Sequence, residues 1–245
     1  MTLQEQEVAE FFAQLTEDAA RDPIDTRALL GTLADGGRRL FGASGAKVEY
    51  APDPRAAVHC EGTDPGLRAL SDAVVQWREG PGHDTRTTGG ALIDVDITTD
   101  VSVACWPRWT PSARALGHGR VTALPLRSRE AVTGALVLFS APAGALNVLD
   151  EEALALARSF TESAGHTLSL QHELAESRVL AGQLEHALSS RVVVEQAKGI
   201  LAAQNGLSLD AAFEGLRGYA RSHQRKLADV AREIIEGHLK LPIRS

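Results

Sequence analysis

The chain has 245 residues, 44% apolar and 23% charged, a composition that folds and a length that suits two modules better than one. Its longest apolar run, Gly134 to Phe139, falls far short of the ~20 residues that cross a bilayer. The net charge of −7 is unevenly spread: Leu188 to Ser245 carries nine Lys/Arg against six Asp/Glu, a basic tail on an acidic body that permits polyanion binding without requiring it. The acidic start MTLQEQEVAEFF has neither the basic beginning nor the apolar core of a signal peptide, so a cytoplasmic protein is expected. Cys60 and Cys105 form no CxxC pair and lack metal-ligand spacing, which predicts two reduced thiols and no metal centre.

In chain order, Leu3 to Ala20 reads as an amphipathic helix with Val8, Phe11, Phe12 and Leu15 on one face, stopped by Asp22-Pro23. A second helix runs from about Asp25 to Phe41, with Gly36-Gly37 as its weak point. Lys47–Tyr50 and Ala56–Cys60 read as short strands around a Pro52–Pro54 turn, Leu67–Arg78 as a helix, and Glu79 to Asp84 as a loop. Ala91–Ile97 alternates like a strand. A loop bearing Trp106, Pro107 and Trp109 leads to a short helix near Ser112–Leu116, then to strands Arg120–Arg127 and Thr133–Phe139. Irregular mixing of strands and helices predicts an α+β domain with a largely antiparallel sheet.

From Leu149 onward helix formers dominate as far as Gln204. Leu170, Leu174, Leu184 and Leu188, with Ser177 and Ala181 between them, fall on a 4-3 ladder that predicts a short coiled coil and a homodimer. Gly182, a residue costing about 1 kcal/mol in a helix interior, makes that zipper weak. Asn205-Gly206 breaks the helix. Ser208 caps a helix over Leu209–Arg221, and a last one spans about Lys226–Leu239. The expected organisation is a sensor domain over 1–149, a helical connector over 150–189 and a three-helix bundle over 190–245.

Two resemblances follow. SRVVVEQAKGIL (Ser190–Leu201), LSLDAAFEGLRGYAR (Leu207–Arg221) and KLADVAREII (Lys226–Ile235) together resemble the ANTAR module, the RNA-binding domain of transcription antitermination regulators, including its Gln-Ala-Lys-Gly block at Gln196–Gly199. Upstream, Ile24 to about Gln171 resembles a GAF domain, a sensory α+β fold. That resemblance rests on Gly80-Pro81-Gly82, Asp94–Thr99, Trp106-Pro107, Leu124-Pro125-Leu126 and Gly134–Leu138, in that order. Together they imply a signal-responsive regulator, not an enzyme, that engages hairpin-loop RNA as a dimer.

RNA binding needs cations for phosphates and surfaces for exposed bases. Lys198 lies between the small residues Ala197 and Gly199, with Arg191 two turns earlier and Gln196 in the same block; Arg217, Arg221, Arg225 and Lys226 cluster farther on. These nine are the candidate RNA-binding residues, while Tyr219 and His223 could stack on a base. For the sensor, His83, Asp94, Asp96, Trp106 and Trp109 are the candidate pocket residues for a small-molecule ligand. Cys105 lacks a bilin-binding context, the residues of cyclic-nucleotide binding are missing, and haem through His83 or His118 stays open, so the ligand is unknown. No phosphate loop, nucleophile elbow or catalytic triad is present. A protein-interaction tail and a DNA-binding bundle remain the alternative readings.

Overall fold

The computed structural model describes residues 3–19, 25–53, 55–129, 131–142 and 151–242; Asp22-Pro23, Pro54 and the change of character at Leu149 lie outside the described residues. Strands β1 (Gly45–Tyr50), β2 (His59–Gly62), β3 (Leu92–Asp96), β4 (Arg120–Ser128) and β5 (Ala131–Ser140) form one sheet. Its order is β2-β1-β5-β4-β3 and every pairing is antiparallel. Successive strand residues point to opposite faces. Val48, Leu136 and Leu124 therefore stand in one row, and Lys47, Val137 and Ala123 in the row on the other side.

On the first face the sheet is covered by α1 (Leu3–Ala19), α2 (Thr26–Leu40) and the start of α7 (Glu151–Asn205). Phe160 of α7 packs on Phe11 and Phe41, with ring centroids 4.6 and 5.8 Å away. Tyr50 donates its hydroxyl to the Leu168 carbonyl at 3.2 Å, and burial pushes its phenol up to about 12. The glycines that weaken α2 in sequence are packing residues: a Cβ on Gly36 would lie 2.2 Å from the Phe11 ring. Gly165 likewise lets α7 approach β4, since a Cβ there would meet the Arg127 carbonyl oxygen at 2.2 Å. Phe12, expected on the buried face of α1, is 36% exposed, because the ring of Phe11 takes the central place.

The second face carries α3 (Pro65–Trp77), α4 (Pro81–Thr88), α5 (Asp100–Cys105) and α6 (Trp109–Ala115). Two of these correct the sequence reading. The expected Glu79–Asp84 loop turns into α4 at Pro81, whose fixed φ suits a first helical turn, and Gly89 ends that helix at φ 74°. The loop before Trp106 holds α5, capped by Thr99. Neither helix has an apolar stripe long enough to register as a period.

The chain divides into two units, Met1–Ala175 and Glu176–Ser245. The second is built from the end of α7, α8 (Leu209–Ser222) and α9 (Leu227–Ile235) around Ala197, Leu201, Leu216, Val230 and Ile234. α9 is shorter than expected: Gly237 turns left-handed at φ 76°, and the amides of His238 and Leu239 both fold back to the Glu233 carbonyl. Among the described residues no helix is long and apolar enough to cross a membrane.

Removing an aromatic ring from a packed core costs about 3–5 kcal/mol. Phe160→Ala should destabilise the N-terminal unit by that amount in urea denaturation followed by circular dichroism. A loss below 1 kcal/mol would mean that α7 does not complete this core.

Candidate functional site

The C-terminal unit is held by local chemistry. Ser208 accepts the Ala211 amide at 3.2 Å, and Asp210 adds a negative charge at the positive end of α8. Asn205 donates to the Leu201 and Leu241 carbonyls at 3.0 and 3.4 Å, tying the end of α7 to the last described residues. Gln224 turns left-handed between α8 and α9, and Arg225 then grips Glu233 with both ends of its guanidinium.

On this frame the nine predicted RNA residues fall in different surroundings. Ala197 is fully buried among Leu201, Leu216 and their neighbours, so its small size serves packing and its side chain is not a contact surface. Arg225 is committed to Glu233, and Arg217 lies 3.7 Å from Glu214. Arg191, Gln196, Arg221 and Lys226 are exposed, and the three cations among them have no ion pair among the described residues. Lys198 is 16% exposed at its side chain and reaches Glu195 at 2.6 Å, a neighbour one helical turn away.

Gly199 is the informative position. A Cβ added there would meet nothing within 4 Å. A close helix crossing therefore does not explain this glycine, although it sits in a helix interior where glycine is unfavourable by about 1 kcal/mol relative to alanine. At 100° per residue, Gln196 and Gly199 fall on the side of α7 opposite Ala197 and Leu201, with Lys198 and Arg191 at its flank. The result is one uncovered backbone position, Gly199, with Lys198, Arg191 and the Glu195 carboxylate that Lys198 engages around it. Sequence reasoning placed Ala197 and Gly199 together as small neighbours; the helical turn sends one inward and leaves the other open. At the end of α8, Tyr219 and His223 stack at 4.0 Å with 22° between their planes.

In the N-terminal unit the five predicted pocket residues lie in different surroundings. Trp109 is fully buried between Phe139 and Trp106, and Trp106 donates its indole N–H to Asp84 at 2.8 Å, so both are core. Asp94 and Asp96 sit on edge strand β3 beside a register shift, with Asp94 at φ 50°. Arg120 binds the Asp94 carboxylate at 2.6 and 2.7 Å and lies 3.5 Å from that of Asp96. Two hydrogen bonds from Thr98, then Arg120, hold the Asp96 carboxyl below its ordinary value. Of the five, His83 lines a cleft of about 760 Å³ between the β1–β2 loop, α3 and α4. His118 packs on the Phe139 ring at 4.6 Å, and its burial lowers its basicity. The Cys60 thiol is pushed up to about 12 by burial, which keeps it protonated; Cys105 is exposed, and both are free. Among the described residues no group of three His, Cys, Asp or Glu is placed to hold a metal.

Residues 182–235 match the family model of the ANTAR domain, and the match covers the end of α7, all of α8 and all of α9. The C-terminal unit carries an ANTAR domain. No curated relative matches the chain. Among solved structures, it is similar to the GAF domain of an Acinetobacter phosphoenolpyruvate-protein phosphotransferase, at 10% identity and TM-score 0.50, covering 72% of this chain and 99% of that one. It is also similar to the A. aeolicus nlh2 GAF domain in an inactive state, at 13% identity and TM-score 0.47, covering 70% and 99%. The first of these shows that the N-terminal unit has a GAF-like fold, an α+β architecture with an antiparallel sheet.

The Arg225 hydrogen bonds hold the Glu233 carboxyl below its ordinary range. A depressed folded-state value stabilises above the ordinary glutamate value and stops doing so as pH falls through the depressed one. Arg225→Ala should therefore shift the Glu233 titration, followed by carboxyl NMR, upward to that of an ordinary glutamate. An unmoved midpoint would show that this pair does not form.

Proposed function

We propose that the chain is a signal-responsive transcription antitermination regulator that binds hairpin-loop RNA as a homodimer, with a small-molecule ligand of the GAF-like unit as its input. The observation that carries this reading is the ANTAR match laid over the open backbone at Gly199 on α7. A phosphate or an unstacked base can approach backbone at Gly199 more closely than at any residue with a side chain, while Arg191 and Lys198 stand beside it to neutralise charge. Lys198 would exchange its neighbour Glu195 for phosphate. Arg221 and Lys226 would extend the contact along α8 and the following turn. Such work on nascent transcripts belongs in the cytoplasm and needs no catalytic chemistry.

The dimer reading rests on uncovered apolar surface. Leu170, Leu174, Leu184 and Leu188 are all exposed, as are Val179, Leu180 and Val192. Among the described residues of one chain nothing buries them, and a second copy of α7 offers the same ladder in register. Ligand binding would act by changing how strongly two α7 helices pair, and so how two RNA-binding units are presented. A basic helical bundle also suits a DNA major groove, so hairpin RNA, duplex DNA and no nucleic acid are the outcomes to separate by gel shift.

Two outcomes are expected. Removing one phosphate contact should lower the salt slope of binding by about one and weaken affinity without touching the fold. Lys198→Ala should accordingly bind a hairpin RNA about tenfold more weakly with unchanged helicity. Gly199→Ala should do the same while raising stability by up to about 1 kcal/mol. Unchanged affinity in both variants would remove this part of α7 from the interface. For the dimer, Leu184→Glu with Leu188→Glu should give a monomer in sedimentation equilibrium where the native chain is a dimer; identical masses for the two would refute pairing through α7.

A further inference from the structure

We propose that the cleft between the β1–β2 loop, α3 and α4 binds a small organic polyanion, one carrying at least two carboxylate or phosphate groups. Its regulatory consequence rests on the ligand-responsive reading above, whereas binding itself rests on the cleft alone. The volume, about 760 Å³, is that of a small-molecule site. Although the body of the chain is acidic, Arg55, Arg78, Arg86 and His83 line this one space, and none of the four side chains has an ion pair or hydrogen bond among the described residues. Elsewhere in the same unit, Arg27, Arg108 and Arg120 all pair with carboxylates.

The two acids of the cleft are already engaged. Asp53 accepts the amides of Arg55 and Ala56 at 2.7 and 3.0 Å, closing its own turn. Glu49, on the floor, is buried 2.7 Å from the equally buried Lys47, which neutralises it. The first turn of α4 rests on that carboxylate: a Cβ on Gly82 would lie 2.3 Å from a Glu49 oxygen. Arg86, one turn farther along α4, has its Nε sheltered from solvent without an acceptor. A buried donor left unpaired is unfavourable, and an anion's oxygen would supply the missing acceptor. His83 and Arg86 on α4, Arg78 at the end of α3 and Arg55 on the loop approach from three elements, so one acidic group cannot satisfy them all.

Isothermal titration calorimetry on the full chain, with citrate and ATP as probes and adenosine as the neutral control, tests this. Citrate or ATP should bind saturably at one site per chain and adenosine should not. Citrate alone would mark a carboxylate ligand and ATP alone a phosphate one. Arg86→Gln should weaken binding at least tenfold, and Arg55→Gln, on an exposed loop where folding is not at stake, several-fold. Arg221→Ala, in the RNA-binding unit, should leave it unchanged. The proposal is overturned if neither polyanion saturates, if both cleft variants bind like the native chain, or if Arg221→Ala abolishes the signal. Hairpin-RNA affinity measured in parallel reports the antitermination reading separately, because a chain that binds the polyanion but no RNA refutes only that reading.

Discussion

One helix must satisfy two cores. α7 runs unbroken from Glu151 to Asn205, and its two ends face different partners. Ala157, Phe160, Ala164 and Leu168 bury themselves against the sheet and α1–α2, whereas Ala197 and Leu201 pack among α8 and α9. The residues between them bury almost nothing within the chain. Helical stability in water comes mainly from tertiary packing of an apolar face, so a stretch with exposed leucines and no partner is the least supported part of the fold. The proposed pairing with a second copy of α7 would cover that stretch.

Charge is handled differently in the two units. In the N-terminal unit Arg27, Arg38, Arg68, Arg108 and Arg120 are held by carboxylates, and the Lys47–Glu49 pair is taken out of solvent. In the C-terminal unit the two-pronged pair Arg225–Glu233 braces α9 against the turn before it, while Arg191, Arg221 and Lys226 are exposed and have no ion pair among the described residues. Surface cations that are neither bracing nor neutralised are those available to a polyanion. The stability of the bundle does not draw on them, so they can be lost to substitution without unfolding.

The parts of this structure legible in the sequence are those with a strong period or a capping signal. β4 and β5 read correctly because their apolar runs are continuous, as strands buried on both faces require. α8 was announced by Ser208 and by its single apolar stripe. α4 was not, because its buried residues are Pro81, Gly82 and Thr85, none of which registers as hydrophobic. β1 misleads in a subtler way: Ala46-Lys47-Val48-Glu49-Tyr50 alternates like a half-solvated strand, yet α3 and α4 cover its charged side. The expected pocket residues Trp106 and Trp109 show a related effect. Trp106 and Trp109 look like a ligand cage in sequence, but two large rings beside the apolar Phe139 close the space they were expected to line. Gly199 is the opposite case, since only the structure shows that the space beside it is open.

The central claim is that messenger RNA lies on the part of α7 around Gly199 and on the adjoining turn of α8. The most direct test is photocrosslinking of a hairpin RNA, with 4-thiouridine in its loop, to the intact chain, followed by mass spectrometry of the linked peptides. The account predicts crosslinks confined to peptides between Arg191 and Lys226. Crosslinks only within the GAF-like unit, or none under conditions where the RNA is bound, would contradict it.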